Sequence, residues 1–239
     1  MSTLTALRLA DPRDAADLGA FLARLLRYDK AAAVRLRTAN NALAVFARLP
    51  LGDNGPLVIR TAALASGPEQ APPSAGELDL TVSAGQLLDG IDAAPAPTRD
   101  GNATDANAAD TDAGILPLPA PITGPAWAGL LPPRTSWEHV ADLATGPLGA
   151  AVQAAVVEFR RESTDPDGLA EAIWSRQVHP SGLTLRAVHA AHLVGLLQQS
   201  PSIALHRHPA WLRLTAPRGS VIIRRSPAIG SGLGLTPTR

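Results

Sequence analysis

The spacing of apolar positions changes period three times within the first ninety or so residues. Leu4, Ala6 or Leu7, and Leu9 alternate as a first strand, ended by Asp11-Pro12, where Asp suits a helix cap and Pro a first helical turn. Leu18, Phe21, Leu22, Leu25 and Leu26 then recur at helical spacing, with Asp17, Arg24 and Arg27 turned elsewhere. From Val34 the period falls to two. Val34, Leu36 and Thr38 alternate with Arg35 and Arg37, and Asn40-Asn41 marks a turn. The returning strand sets Leu43, Val45, Ala47 and Leu49 on one face and Ala44, Phe46 and Arg48 on the other. In the next strand Leu57 and Ile59 are expected to face inward, Val58 and Arg60 outward. Residues 77–83 predict a further strand, and residues 84–91 a short helix through Leu87, Leu88 and Ile91.

Beyond residue 92 the pattern dissolves into Pro, Ala, Asp, Asn, Gly and Thr, which cannot bury enough apolar surface to offset ordering entropy. The Pro-spaced residues 115–121 are expected to be extended, as a spacer or as a strap across the second module. That module opens with Trp127, Pro132-Pro133 and Trp137. Helices are predicted over 149–161 (Val152, Val156, Phe159), over 169–178 (Leu169, Ile173, Trp174) and over 185–199, the last apolar nearly all round and so expected to be central. Residues 203–207, 211–215 and 221–225 alternate as strands, the last two joined by a turn at Ala216-Pro217-Arg218-Gly219. The expected fold class is α+β. An N-terminal β-α-β-β-β-β-α module spans 1–92, a disordered Pro/Asp-rich linker 93–126, a C-terminal helical module ending in a β-hairpin 127–226, and a flexible tail 227–239.

Composition narrows the chemistry. In 239 residues, 46% are apolar but only 3% are aromatic, so the core is built from Ala, Leu, Val and Ile. Cys is absent, which removes disulfides, thiolate metal sites and Cys nucleophiles together. Lys30 is the single lysine, so a Walker-type phosphate loop is excluded; the arginine bias, with abundant Ala, Gly and Pro, points to GC-rich coding in a bacterium. No stretch approaches the ~20 apolar residues of a membrane span, and charges interrupt the N-terminal residues where an export signal would need an apolar run. A cytoplasmic protein without a membrane partner is expected.

A net charge of zero hides a strong polarity. Residues 1–60 carry net +4, residues 61–126 net −8, residues 127–204 net −2, and residues 205–239 net +6 with no acid at all. Such polarity attracts a polyanion, or lets one part of the chain dock on another.

Catalytic constellations are sparse. His189 and His192 share a helix face and His206 and His208 a strand face, so each pair could converge on a metal; yet no carboxylate follows Glu171, and neither HExxH spacing nor a general base is present. The alternative is that these histidines pack or face solvent. Gly230-Ser-Gly-Leu-Gly234 has no strand before it or helix after it and is neither a nucleophile elbow nor a dinucleotide fingerprint. Glu158 and Glu162 read as a solvated helix stripe, and no cofactor is expected.

The basic surfaces carry the stronger signal. With the strand faces assigned as above, Arg35, Arg37, Arg48, Arg60 and Phe46 share one side of a sheet, where guanidinium groups can clamp phosphate and an aromatic ring can stack a base. Arg207, Arg213, Arg218, Arg224 and Arg225 surround the C-terminal hairpin. Three helices followed by a basic hairpin resemble a winged helix-turn-helix in element order, although the third helix offers only Arg186, His189 and His192 as polar contacts. The N-terminal order, with Leu80-Thr81-Val82-Ser83-Ala84 leading into a helix through Leu87-Leu88, resembles one half-domain of a DNA sliding clamp. Element order alone does not transfer function.

The leading expectation is a non-enzymatic protein that contacts a polyanion, most plausibly nucleic acid, through Arg35, Arg37, Phe46, Arg48, Arg60, Arg213, Arg218, Arg224 and Arg225. The acidic linker could compete for those surfaces. One alternative is an adaptor whose basic hairpin and Trp127/Trp137 segment dock an acidic protein partner, and another is a His-dependent metalloenzyme. The choice turns on whether the guanidinium groups stand in solvent or are neutralised by internal carboxylates.

Overall fold

A computed structural model describes residues 6–52, 55–65, 78–94, 114–161 and 164–225. Most of the expected linker and the tail 227–239 lie outside the described residues. The fold is mixed α+β: among the described residues five α-helices accompany a large antiparallel sheet.

β1 (Ala6–Arg8) leads into α1 (Pro12–Leu26), capped as its sequence requires: the Asp11 carboxylate accepts the Arg13 N–H at 2.8 Å and Pro12 occupies the first turn. β2 (Ala33–Ala39) and β3 (Ala42–Arg48) form a hairpin whose turn residues Asn40 and Asn41 have φ of 48° and 60°, the left-handed values that Asn tolerates. β4 (Leu57–Ala63) follows, then β5 (Asp79–Ser83) and α2 (Ala84–Ala93), whose cap is Ser83.

β6 (Ile115–Pro117) pairs antiparallel with β1, and the Ile122 N–H donates to the Thr81 carbonyl at 2.8 Å on β5. The Pro-spaced stretch is extended, but it straps the first module and not the second.

In the second module β7 (Glu138–Ala144) precedes α3 (Thr145–Phe159). β7 was not expected, because its weak alternation through Val140 and Leu143 belongs to a sheet edge with little to bury. α3 begins four residues before its predicted start, accommodating Gly146-Pro147 in its first turn; it buries Leu148, Val152 and Ala155, while Phe159 is exposed. α4 (Pro166–Trp174) leads to a small hairpin of β8 (Gln177–His179) and β9 (Leu183–Thr184). α5 (Leu185–Leu193) is shorter than its apolar run, because the chain turns at Gly195, φ 77°. β10 (Ser202–His208), β11 (Trp211–Ala216) and β12 (Gly219–Arg224) complete the chain.

Eight strands form one antiparallel sheet in the order β5-β2-β3-β4-β12-β11-β10-β7. The C-terminal hairpin is therefore part of a shared sheet and not the wing of a winged helix. The modules meet where β4 pairs with β12, Val58 opposite Val221 and Arg60 opposite Gly219. A Cβ at position 219 would collide with the Ile59 carbonyl oxygen, so the seam requires glycine there. The large core lies between helices and sheet, joining Phe21, Leu22 and Leu25 of α1 to Leu36, Val45 and Val58, and Val188 of α5 to Leu205 and Val221. On the opposite, open face a smaller cluster unites Leu57, Ile59, Trp211 and Ile222 beneath Phe46, Trp127 and Trp137.

Candidate interaction surfaces

The β4 run 57–60 is apolar at three consecutive positions, so its parity cannot be read from alternation, and a shift of one residue exchanges the faces. Val58 packs in the helix-side core, Leu57 and Ile59 on the open face. Arg60 consequently leaves the expected arginine face. It is 4% exposed on the helix side, where Nη2 donates to Asp17 of α1.

On the open face the structure assembles Arg35, Arg37, Phe46 and Arg48 with Arg213 and Arg224, through the registers Arg35 opposite Phe46, Arg48 opposite Leu57, and Leu57 opposite Ile222. Their electrostatic states differ. Arg35 makes a two-pronged contact with Asp79 at 2.6 and 2.7 Å and donates to the Ala128 carbonyl, while Arg37 Nε lies 3.1 Å from the same carboxylate. Hydrogen bonding to Arg35, outweighing partial burial, holds the Asp79 carboxyl below its ordinary pKa and raises that of Arg35. One carboxylate thus serves two guanidinium groups, and this corner is partly neutralised. Arg213 is half-buried near Trp137, 5.8 Å from the ring centroid, and desolvation lowers its pKa. Arg224 lies over Trp211 at 4.9 Å. Neither Arg48 nor Arg224 has a carboxylate partner among the described residues.

Around the hairpin, Arg218 reaches Asp14 and Asp17 at 3.4 and 3.3 Å, Arg225 donates to the Pro209 carbonyl, and Arg207 pairs with Glu138 at 2.9 Å. Arg218 and Arg60 thus face the helix side together, away from Arg213 and Arg224.

Between Arg48 and Arg224 lies a groove of about 300 Å³ at the junction of the modules. Leu57, Trp211 and Ile222 form its apolar floor, and Trp127 and Leu130 of the connector between modules form a wall. The 3-10 turn Ala126–Gly129 sets Trp127 in place, and Leu130 is 55% exposed. Trp137 is fixed separately, its indole N–H donating to the Pro133 carbonyl at 2.9 Å. The groove was missed from sequence because its two cations come from different modules; the Trp127/Trp137 segment was the one signal pointing to it.

The histidines do not converge. His189 stacks on Trp174 at 4.2 Å, and burial, with a smaller contribution from His192, lowers its pKa to about 4. His192 contacts the Gln153 and Gln198 side chains instead. His206 meets Thr215 and lies edge-on to His139, and burial is the main cause of its lowered pKa. Among the described residues no group of three or more His, Asp or Glu is placed to hold a metal.

Residues 2–129 match the profile of a family described as Domain of unknown function (DUF8010), and residues 132–228 that of Domain of unknown function (DUF8185). No curated protein matches the chain significantly. Among solved structures it is similar to a DNA polymerase sliding clamp from Caulobacter crescentus, at 13% identity and TM-score 0.51 over 92% of this chain and 65% of that one. A second Caulobacter crescentus β sliding clamp structure aligns at 12% identity and TM-score 0.50, covering 98% and 68% of the two chains. The DnaN sliding clamp of Bartonella birtlesii, bound to griselimycin, aligns at 11% identity and TM-score 0.52, covering 94% and 67%. The chain spans 65% of the length of the first of these clamps. The likeness shows a sliding-clamp-like fold, and it extends across both modules, beyond the N-terminal stretch whose element order already resembled one. No helix among the described residues is long and apolar enough to cross a membrane.

Proposed function

The chain belongs to the family described as a domain of unknown function (DUF8010), and from the fold its two modules build we propose that it is a non-enzymatic docking protein holding an acidic, apolar-bearing segment of a protein partner. The observation that carries this reading is the groove at the module junction, with an aromatic and aliphatic floor between two cations that have no carboxylate partner among the described residues. Leu130 and the half-exposed Trp127 supply apolar area open to solvent above a buried floor of Trp211 and Leu57, and Arg48 and Arg224 flank it with charge that selects an acidic segment over a basic one. Binding energy at such sites concentrates in central aromatic and Arg residues.

The test uses synthetic peptides pairing Leu or Phe with Asp and Glu, followed by intrinsic Trp fluorescence. Acidic peptides are expected to bind, and Trp211→Ala or Arg224→Glu to weaken them at least about tenfold. Equal affinity for charge-reversed peptides, or binding indifferent to both substitutions, would refute the reading.

A second reading is favoured by the likeness to proteins named as DNA polymerase sliding clamps: contact with nucleic acid, the cytoplasmic polyanion partner that the charge polarity suggests. On the open face Arg48, Arg213, Arg224 and Arg225 are the candidates, because Arg35 and Arg37 already share the Asp79 carboxylate. Duplex binding that falls steeply with salt, and less steeply in Arg224→Glu/Arg225→Glu, supports it. Absence of binding at low salt removes it.

A further inference from the structure

We propose a second binding site, on the helix side of the module seam, that takes a phosphate or phosphoryl group between Arg24, Arg60 and Arg218. A cavity of about 290 Å³ opens there, lined by these three guanidinium groups, by Asp17, and by Gln198 and Gln199. Neither module contains it alone. Arg24 comes from α1 and Arg60 from β4, whereas Arg218 lies in the β11–β12 turn and the glutamines follow α5.

The decisive group is Arg60. Its side chain is 4% exposed and Nη2 donates to Asp17, but Nε and Nη1 are buried without a hydrogen-bond partner among the described residues. Buried donors left unmade are costly, and an acceptor admitted as the Arg60 side chain shifts toward the cavity it lines would satisfy them. A tetrahedral phosphate supplies several acceptor oxygens at once, two of which can meet the planar N–H fork of a guanidinium side by side.

The remaining walls are set for such a guest. Arg24 Nη1 lies 3.5 Å from the Val194 carbonyl, and a Cβ at Gly195 would stand only 2.6 Å from that nitrogen, so glycine makes room for the guanidinium. Arg218 is fixed through its backbone N–H, which donates to Gln199 Oε1 at 3.1 Å. Asp14 and Asp17 face Arg218 and offset part of the charge, leaving three cations against two acids. That balance disfavours a cation and leaves a surplus of positive charge and of N–H donors for an anion.

The cavity accepts phosphate as a free ion, on a small phosphorylated molecule, or within a phosphodiester chain. The test titrates inorganic phosphate into the full chain at constant ionic strength, replacing chloride, with thermal unfolding and calorimetry as readouts. Phosphate is expected to raise Tm and to bind saturably. Arg24→Gln/Arg218→Gln alters exposed side chains and so keeps the fold, and it should weaken phosphate at least about tenfold. Trp211→Ala, on the other face, should leave the phosphate response unchanged, which separates this site from the docking groove. A short duplex assigns the source. Competition with phosphate points to a nucleic-acid backbone, and independence from it to a free or small-molecule phosphate; either supports the site. No response beyond chloride, or an equal response in the double variant, overturns it.

Discussion

On the helix-covered face of the sheet Arg60 is 4% exposed against Asp17, whereas on the open face Arg224 is exposed over Trp211 with no carboxylate partner among the described residues. The same residue type meets two environments because the faces are dehydrated by different means. Helices α1, α2, α3 and α5 cover one side with a continuous Leu-, Val- and Ala-rich layer, and a charge caught beneath it must carry its counter-ion with it. Among the described residues the other side is covered by the connector bearing Trp127 and Trp137, which shields a small apolar cluster and leaves cations at its margin. Stability is concentrated on the first face, which opens only at the seam where the proposed phosphate site lies, and the proposed docking groove belongs to the second.

The contrast is most sharply tested by paired truncations on adjacent strands. Leu36→Ala, fully buried in the helix-side core, should cost about 3 kcal/mol in urea unfolding, whereas Phe46→Ala, half-covered on the open face, should cost about 1 kcal/mol. Equal losses would mean that the open face is as much a core as the other. Asp17→Asn should follow at about 2 kcal/mol, because it leaves Arg60 buried without its counter-ion, although Asp17 itself retains some solvent contact. Arg60→Met, which removes the buried charge, should be milder than Asp17→Asn in the same assay.

A pH titration separates the faces differently. His189 is held neutral to about pH 4, mainly by burial, while an unfolded histidine protonates near its ordinary 6.5. The unfolded state therefore binds the extra proton first, so stability should fall as pH drops from about 6.5 towards 4. The full difference corresponds to about 3 kcal/mol, which partial solvation of the ring reduces to about 2 kcal/mol, and His189→Gln should remove that slope. The smallest effect belongs to the open face. Asp79 has a lowered pKa beside Arg35, so its contribution is present above the ordinary carboxylate value and is lost as pH falls through the lowered one. Asp79→Asn should cost less than about 1 kcal/mol, read as a small Tm change that salt diminishes, because the pair is partly solvated.

Elements with one dominant period are legible in the amino-acid pattern. The Asp11-Pro12 start of α1, the Asn40-Asn41 hairpin and the alternation of β2 and β3 follow from local backbone chemistry and from a single buried face. β7 is hidden because an edge strand buries little, and the ends of α3 and α5 differ from their predicted places because a first turn accepts Gly-Pro while an apolar run continues past a helix stop at Gly195. The expected arginine face is right for Arg35, Arg37 and Arg48 and misplaces Arg60, since a strand covered on both sides has no alternation to read.

By itself, the sequence determined the class of fold, the absence of cysteine chemistry, the segregation of charge and the identity of the surfaces in which arginine accumulates. Only the tertiary structure decided that β4 and β12 zip the modules into one sheet, which arginines are neutralised, and that Arg48 meets Arg224 across one junction while Arg60 meets Arg218 across its reverse. The reason is that hydrophobic periodicity and backbone propensity act over a few residues. Charge pairing and concave sites depend instead on which distant segments the sheet brings side by side.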